Sequence, residues 1–420
     1  MSIASSRVGF SSANPHALAV ILDASETRSI VASRDIFDIS GTKLWARDQP
    51  VSRELQRRLM DRQLRHPLET CLYAENGVTS RSLVQAVEEL LAVDSPLTVM
   101  LKPYEDRLVH SAMHIPLHPV VQLLLTAGQA SRPESFDHAI QAMALAGALM
   151  LSRGGDTRAL RQAMLCGLLH DLGEMYIDPL AGESDADRTL DAQSYRHLVV
   201  HPHVGRLLVE QLTHYPTEVA RAVGEHHERL DGSGYPNRLQ AEQVSPLGRL
   251  LAVTDASLAI LRGGRGCLLD ASVSLRVVPG EFDLQWVGLV SEAARLKPPL
   301  VATAEPQALR CRLTRLDDNL QAMHDKAQVL ALAADTPALR GAIELTLYLL
   351  QRLRTGFNAS GLWSVDGLVG PEAAEVESTE AELHFRLRSI HRAARLYAGK
   401  GLTLDDDQRL QLLTEGVLAA

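Results

Sequence analysis

The stretch Ala222 to Pro236 reads AVGEHHERLDGSGYP and sets two adjacent histidines, His226 and His227, just ahead of a glycine-rich turn. Neighbouring residues on an α-helix point about 100° apart, so consecutive imidazoles can serve one site only at a helix end or rim. That placement suits the gripping of two different cations better than the filling of a core. A second pair, His170-Asp171, lies inside the apolar run LCGLLHDLGE. An imidazole and a carboxylate buried side by side are costly unless something compensates them. His138 follows Glu134 by four residues in ESFDHAIQAMALAGALMLSRGG, which puts both on one face if the stretch is helical. His201 stands before Pro202, where a helix break would let its ring turn inward. Asp255 is the one carboxylate in PLGRLLAVTDASLAIL. Taken singly, His138 or His201 reads as an ordinary core or surface residue. Taken together, the series offers mixed nitrogen and oxygen donors suited to Fe or Mn, with Zn also accommodated, and no thiolate.

The elements that must position these groups are helical. From about residue 116 the chain reads as successive amphipathic helices: VVQLLLTAGQA behind Pro119, the His138 segment ended by Gly154-Gly155, then TRALRQAMLCGLLHDLGE capped by Asp156. SYRHLVVHPHVGRLLVEQL, the His226 helix and the Asp255 helix follow. Antiparallel helices on short loops would bring one or two donors from each into a bundle core. Residues 1–115 read as a small α+β module: HALAVILDA as a buried strand, RSIVASRDIFDISGTKLWA as a strand–turn–strand unit, helices at RELQRRLMDRQL and SLVQAVEELLAV, and a short strand at LETCLYA. Its His66, His110, His114 and His118 read as surface or loop residues. Residues 276–420 are again helical, with an acidic link beginning at Gly370-Pro371, and read as a regulatory extension or a homodimer surface. The expected fold is therefore mainly α, divided as 1–115, 116–275 and 276–420.

Composition excludes several classes. A net charge of -9 argues against DNA or RNA as a bulk partner, and 4% aromatic content against a base-stacking platform. Apolar runs such as ALAVIL and VVQLLLTA are too short to insert in a membrane. The four cysteines, Cys71, Cys166, Cys267 and Cys311, are scattered, and no basic-then-apolar leader opens the sequence; a cytoplasmic location is expected.

The order His138, His170-Asp171, His201-Pro202, His226-His227-Glu228, Gly232-Ser233-Gly234-Tyr235-Pro236, Asp255 resembles the HD-GYP domains, a branch of the HD metal-dependent phosphohydrolases of bacterial signalling. The likeness covers about residues 116–275. It implies an HD-type helical bundle with two or three divalent metal ions and hydrolysis of cyclic di-GMP to pGpG or GMP. Carried over by position, the ligands would be His138, His170, Asp171, His201, His226, His227 and Asp255, with Glu134 at the place of a further ligand in three-metal members. Asp171 would bridge two ions and His170-Asp171 would be the catalytic pair; Gly234, Tyr235 and Pro236, with Arg265 downstream, would meet the substrate. The sequence departs from the family at Glu174, where a lysine is usual three residues after the His-Asp aspartate. It departs again at Ala256-Ser257-Leu258, in place of Phe-Asp-Ala, and at Arg265-Gly266-Cys267, in place of Arg-Pro-Tyr. These changes spare the metal ligands and alter the groups that would grip a nucleotide. They motivate a second expectation, a module that binds a nucleotide or partner protein without turnover.

Overall fold

A computed structural model describes residues 10–177, 192–262, 267–296, 302–360, 371–398 and 402–413. Arg265 and the stretch leading up to Pro371 lie outside the described residues. The chain groups into two compact units: residues 1–185, 197–227 and 245–254 form the first, and 186–196, 228–244 and 255–420 the second. The molecule is mainly α, and among the described residues the short strands are confined to the N-terminal part. Among the described residues no helix is long and apolar enough to cross a membrane.

The first unit opens with α1 (Pro15–Ser25), where a buried strand is expected from HALAVILDA. The helix wins because Asn14 caps it, its side-chain oxygen accepting from the His16 and Ala17 amides, and Pro15 supplies a ready φ at the first turn. Its buried residues Ala17, Leu18, Val20, Ile21 and Ala24 follow helical rather than alternating spacing. Next come β1 (Ile30–Ala32), β2 (Ile36–Phe37), β3 (Lys43–Trp45), α2 (Arg53–Leu59) and β4 (Leu72–Ala74). β2 and β3 form the expected hairpin, turning at Gly41 with its φ of +90°, while β1 pairs antiparallel with β4. The LETC half of LETCLYA is a 3-10 turn, because Thr70 folds back on the Pro67 carbonyl.

α3 (Ser80–Ala92), α4 (Pro96–Leu101), α5 (Glu105–Ala112), α6 (Pro119–Ser131), α7 (Pro133–Ser152) and α8 (Thr157–Leu169) complete the core around α7. From Phe136 to Leu151, α7 is buried on nearly every side, which its Ala-rich, charge-poor sequence permits. α8 lies tight against it: a Cβ on Gly167 would stand 2.4 Å from the Ala142 carbonyl oxygen. Residues 1–115 fall within the first unit. Their helices α1, α3, α4 and α5 and strand β4 pack on α6 and α7, sharing one core.

α9 (Ala192–Leu212) runs unbroken through Pro202, contrary to the break expected there, so His201 is an interior helical residue with no exposure. α10 (Thr217–Glu225) and the first part of α11 (Pro246–Arg262) finish the first unit.

In the second unit, α12 (Leu268–Ser274), α13 (Leu284–Leu296), α14 (Pro306–Leu332), α15 (Pro337–Ala359), α16 (Pro371–Ala398) and α17 (Leu404–Gln411) follow the loop 228–244. Leu309, Leu313, Leu316, Leu320, Met323 and Ala327 of α14 repeat at alternating intervals of four and three, and meet Leu350, Leu353 and Phe357 of α15 and Leu383, Leu387 and Ile390 of α16. The residues from Pro371 onward, expected as an acidic link, are the first turns of α16.

Candidate metal centre

Within the first unit the structure brings six of the proposed ligands together. Asp171, His201, His226 and His227 form one cluster and His138, His170 and Asp171 the other, so Asp171 belongs to both. Its two oxygens divide the work. Oδ2 lies 3.1 Å from Nε2 of His138 and 3.1 Å from Nε2 of His170. Oδ1 lies 3.4 Å from Nε2 of His201 and 3.4 Å from Nε2 of His226.

Helix ends explain how the histidines are aimed. His170 is the C-cap residue of α8 and His226 that of α10. The last carbonyls of a helix lack intrahelical partners. Here the Nδ1–H of His170 donates to the Gly167 carbonyl at 2.8 Å, and that of His226 to the Val223 carbonyl at 2.6 Å. A carbonyl only accepts, so Nδ1 carries the proton in both rings and Nε2 of the neutral ring presents a lone pair. The adjacent His226 and His227 pack with ring centres 4.1 Å apart and planes tilted by 47°, one capping α10 and the other just beyond its end.

These residues fit divalent cations. A lone pair of His170 faces an anionic oxygen at 3.1 Å, and the same holds for His226 at 3.4 Å. Nε2 atoms also face each other at 3.1 Å, His138 against His170 and His201 against His226. The buried lone pairs of His170 and His226 set against the Asp171 carboxylate call for positive charge among them, and imidazole plus carboxylate is the donor set divalent ions take. Burial and the neighbouring His227 push the His226 pKa down to about 3, so this ring is neutral at physiological pH.

The unfolded chain takes up a proton on His226 below its ordinary pKa of 6.5, which the folded chain refuses until about 3. Metal-stripped protein should therefore lose stability as pH falls through that window, by about 1.4 kcal/mol per pH unit at most. Buried Glu69 and Glu281, whose pKa values burial raises, act in the opposite sense. The quantity to measure is thus the difference in urea unfolding free energy between wild type and His226→Gln across pH 7.5 to 4.5. A difference that does not change with pH would remove His226 from the account.

The remaining candidates are not among these six. Glu134 is exposed on the first turn of α7 and stands outside both clusters. Asp255, Gly234, Tyr235 and Pro236 belong to the second unit, where Asp255 is buried in α11. Glu174 is half-buried in the 3-10 turn Leu172–Tyr176, in line with Asp171 three residues before it. Burial lowers the pKa of Arg132, at the start of α7, and the charge of Glu174 offsets this. An arginine therefore accompanies the carboxylate that stands where the family has lysine.

Two roles escape a sequence reading. Gly173 lets the turn after Asp171 touch α9 beside His201: a Cβ there would lie 2.1 Å from the His201 carbonyl oxygen. Glu228 of the HHE triplet is 1% exposed and closes its own loop, accepting from the Asn237 amide at 2.7 Å and the Leu239 amide at 2.9 Å. The only signal for Gly173 is its smallness; for Glu228 it is the paired positions of the turn.

Residues 125–267 match the HD domain family model. With the shared aspartate and the motif HHERLDGSGYP, this region is an HD domain of the HD-GYP type. Cyclic di-GMP phosphodiesterase PA4108 of Pseudomonas aeruginosa is 33% identical over 144 residues, 34% of this chain and 34% of its own length. The 3'3'-cGAMP-specific phosphodiesterase 3 of Vibrio cholerae is 31% identical over 88 residues, 21% of this chain and 18% of its own. The solved structure of Bd1817, an HDG"Y"P protein from Bdellovibrio bacteriovorus, aligns with 65% of this chain and 97% of its own at 16% identity and a TM-score of 0.36. The chain thus spans about a third or less of the two curated relatives named.

Proposed function

We propose that the chain is a metal-dependent phosphodiesterase that opens a cyclic dinucleotide, cyclic di-GMP or a related molecule, by hydrolysis to a linear product. One observation carries this reading: a single carboxylate shared by two histidine clusters, His138–His170 on Oδ2 and His201–His226 on Oδ1. When bound, a pair of divalent ions lowers the pKa of water and neutralises phosphodiester charge in the transition state. Fe or Mn is proposed on the donor set, with Zn accommodated.

The chain's own residues do the positioning. Backbone carbonyls at two helix ends fix the His170 and His226 rings and free their Nε2 lone pairs. The imidazoles of His138, His170, His201 and His226 keep 5% or less of their side-chain surface while Asp171 keeps 13%, so the carboxylate edge is the part solvent and substrate can reach. Arg132 beside Glu174 keeps that flank from being purely anionic towards a phosphate. Roles for Glu134 and Asp255 as ligands, and for Gly234, Tyr235, Pro236 and Arg265 in substrate recognition, rest on the motif alone. A cytoplasmic location is proposed on the scattered cysteines, and a homodimer through the C-terminal helices on their amphipathic pattern.

The test is metal analysis of protein purified without oxygen, then reconstitution with Mn or Fe and assay against cyclic di-GMP and 3'3'-cGAMP. Metal-dependent release of linear dinucleotide is expected, abolished by chelator and restored by metal. Tight nucleotide binding without cleavage under every metal would instead make the chain a non-catalytic sensor.

A further inference from the structure

The C-terminal helices hold the loop that carries Gly232-Ser233-Gly234-Tyr235-Pro236, and they do so inside one compact unit. Asp231, immediately before this motif, is the gripped residue; its side chain is 5% exposed. Its Oδ1 organises the loop itself, accepting from the Ser233 amide at 3.0 Å and the Ser233 hydroxyl at 2.6 Å. Its Oδ2 and its carbonyl oxygen go to α15, more than a hundred residues away in sequence. Arg352 Nε donates to Oδ2 at 3.2 Å across 121 residues, and the Tyr348 hydroxyl donates to the Asp231 carbonyl. Tyr348 and Arg352 are four apart on α15 and so share a face, while Leu350, Leu353 and Phe357 fill the helical core.

The same arginine reaches further. Arg352 Nη2 donates to the Pro279 carbonyl, in the turn whose Glu281 carbonyl accepts from the Leu230 amide at 2.9 Å. The Glu281 side chain pairs with Arg386 of α16 and stands 3.8 Å from Nε of Arg229. Arg229 in turn lies over the Phe282 ring, 4.7 Å from its centre. The start of the loop is therefore tied to both α15 and α16, in part through charge-assisted bonds of the arginines, which are the stronger kind.

We infer that Tyr348 and Arg352 are positioning residues for substrate recognition: they set the Gly232–Pro236 loop through Asp231 and give the C-terminal helices a hold on nucleotide affinity. The inference rests on the proposed role of that loop in binding a cyclic dinucleotide. It predicts that loosening the clamp changes affinity without changing the metal centre, whose six gathered ligands lie in the other unit.

The experiment uses the full, metal-loaded chain with Tyr348→Phe, Arg352→Gln and Arg352→Lys, each read by metal content, steady-state kinetics on cyclic di-GMP and amide hydrogen exchange. Arg352→Gln should raise KM about tenfold with kcat within about twofold, the pattern of lost uniform binding. Exchange at the amides of residues 231–238 should quicken about tenfold while α10 exchanges as before. Arg352→Lys should recover part of both effects, since it keeps the charge but not the two-armed contact. Tyr348→Phe removes one oxygen and tests the same loop without risk to the fold. Unchanged loop exchange in both Tyr348→Phe and Arg352→Gln would overturn the inference, as would a fall in kcat at constant KM. A wild-type chain that neither binds nor cleaves a cyclic dinucleotide would instead defeat the functional reading and the affinity role that depends on it, with exchange still reporting the clamp itself.

Discussion

Asp171→Asn should lower turnover of a cyclic dinucleotide by at least about a thousandfold and cut bound metal, with the helical fold retained. The side chain is nearly isosteric, so the change isolates charge and donor polarity. Asp171 is the only carboxylate in either cluster, and four Nε2 atoms converge on it at 3.1–3.4 Å. An asparagine can offer an oxygen to one histidine pair only, and turns an N–H toward the other, where a cation would sit. The loss of a bridging charge from such a centre is worth several kcal/mol, and each 1.36 kcal/mol is a factor of ten in rate. His138→Ala and His201→Ala, by contrast, each remove a ligand from one cluster and should leave a partly filled site. Metal per chain by elemental analysis and kcat under saturating Mn decide the matter. Turnover within tenfold of wild type would mean that Asp171 does not join two ions.

The six gathered side chains are legible in the sequence because their placement is local. His170 and His226 each close a helix, and a histidine at a C-cap can spend Nδ1 on the orphan carbonyl three residues back while Nε2 faces outward. Such positions show in sequence as histidine after an apolar helical run. His201 was legible as a donor but not in its setting. The proline rule expects a break, yet α9 continues, since packing of a long helix outweighs one lost backbone bond. HALAVILDA misleads for the complementary reason: its apolar residues suit a strand, and the Asn14-Pro15 cap that commits it to helix is a signal of two residues. Glu134 shares a helical face with His138 by spacing, and the structure leaves it exposed in the first turn of α7. The grip of Tyr348 and Arg352 on Asp231 left no trace in sequence at all: the partners are 117 and 121 residues apart, and nothing in an amphipathic helix says which polar residue will find a distant loop.

The second large effect is expected from a residue that touches no metal. Gly173→Ala should destabilise the protein and weaken the His201–His226 half of the centre more than the His138–His170 half. The added Cβ would stand 2.1 Å from the His201 carbonyl oxygen and 2.8 Å from the Gly205 amide nitrogen. Both obstacles are backbone, so the turn Leu172–Tyr176 and α9 must separate by about an ångström for the contact to become tolerable. Overpacking of this kind costs roughly 1–3 kcal/mol or more. The displacement falls where Asp171 Oδ1 meets His201, and misplacing a reacting group by about 1 Å can cost about a hundredfold in rate. His138 and His170 sit on α7 and α8, whose contact runs through Gly167 and is untouched. Gly128→Ala is the control, for its Cβ would meet nothing within 4 Å in α6, and replacing a helical glycine there should stabilise by about 0.5–1 kcal/mol. Thermal unfolding of the two variants should move in opposite directions, and metal titration of Gly173→Ala should show one site weakened ahead of the other. Equal weakening of both sites would place the strain in the whole bundle, and normal affinity at both would show that α9 can shift without carrying His201 away from Asp171.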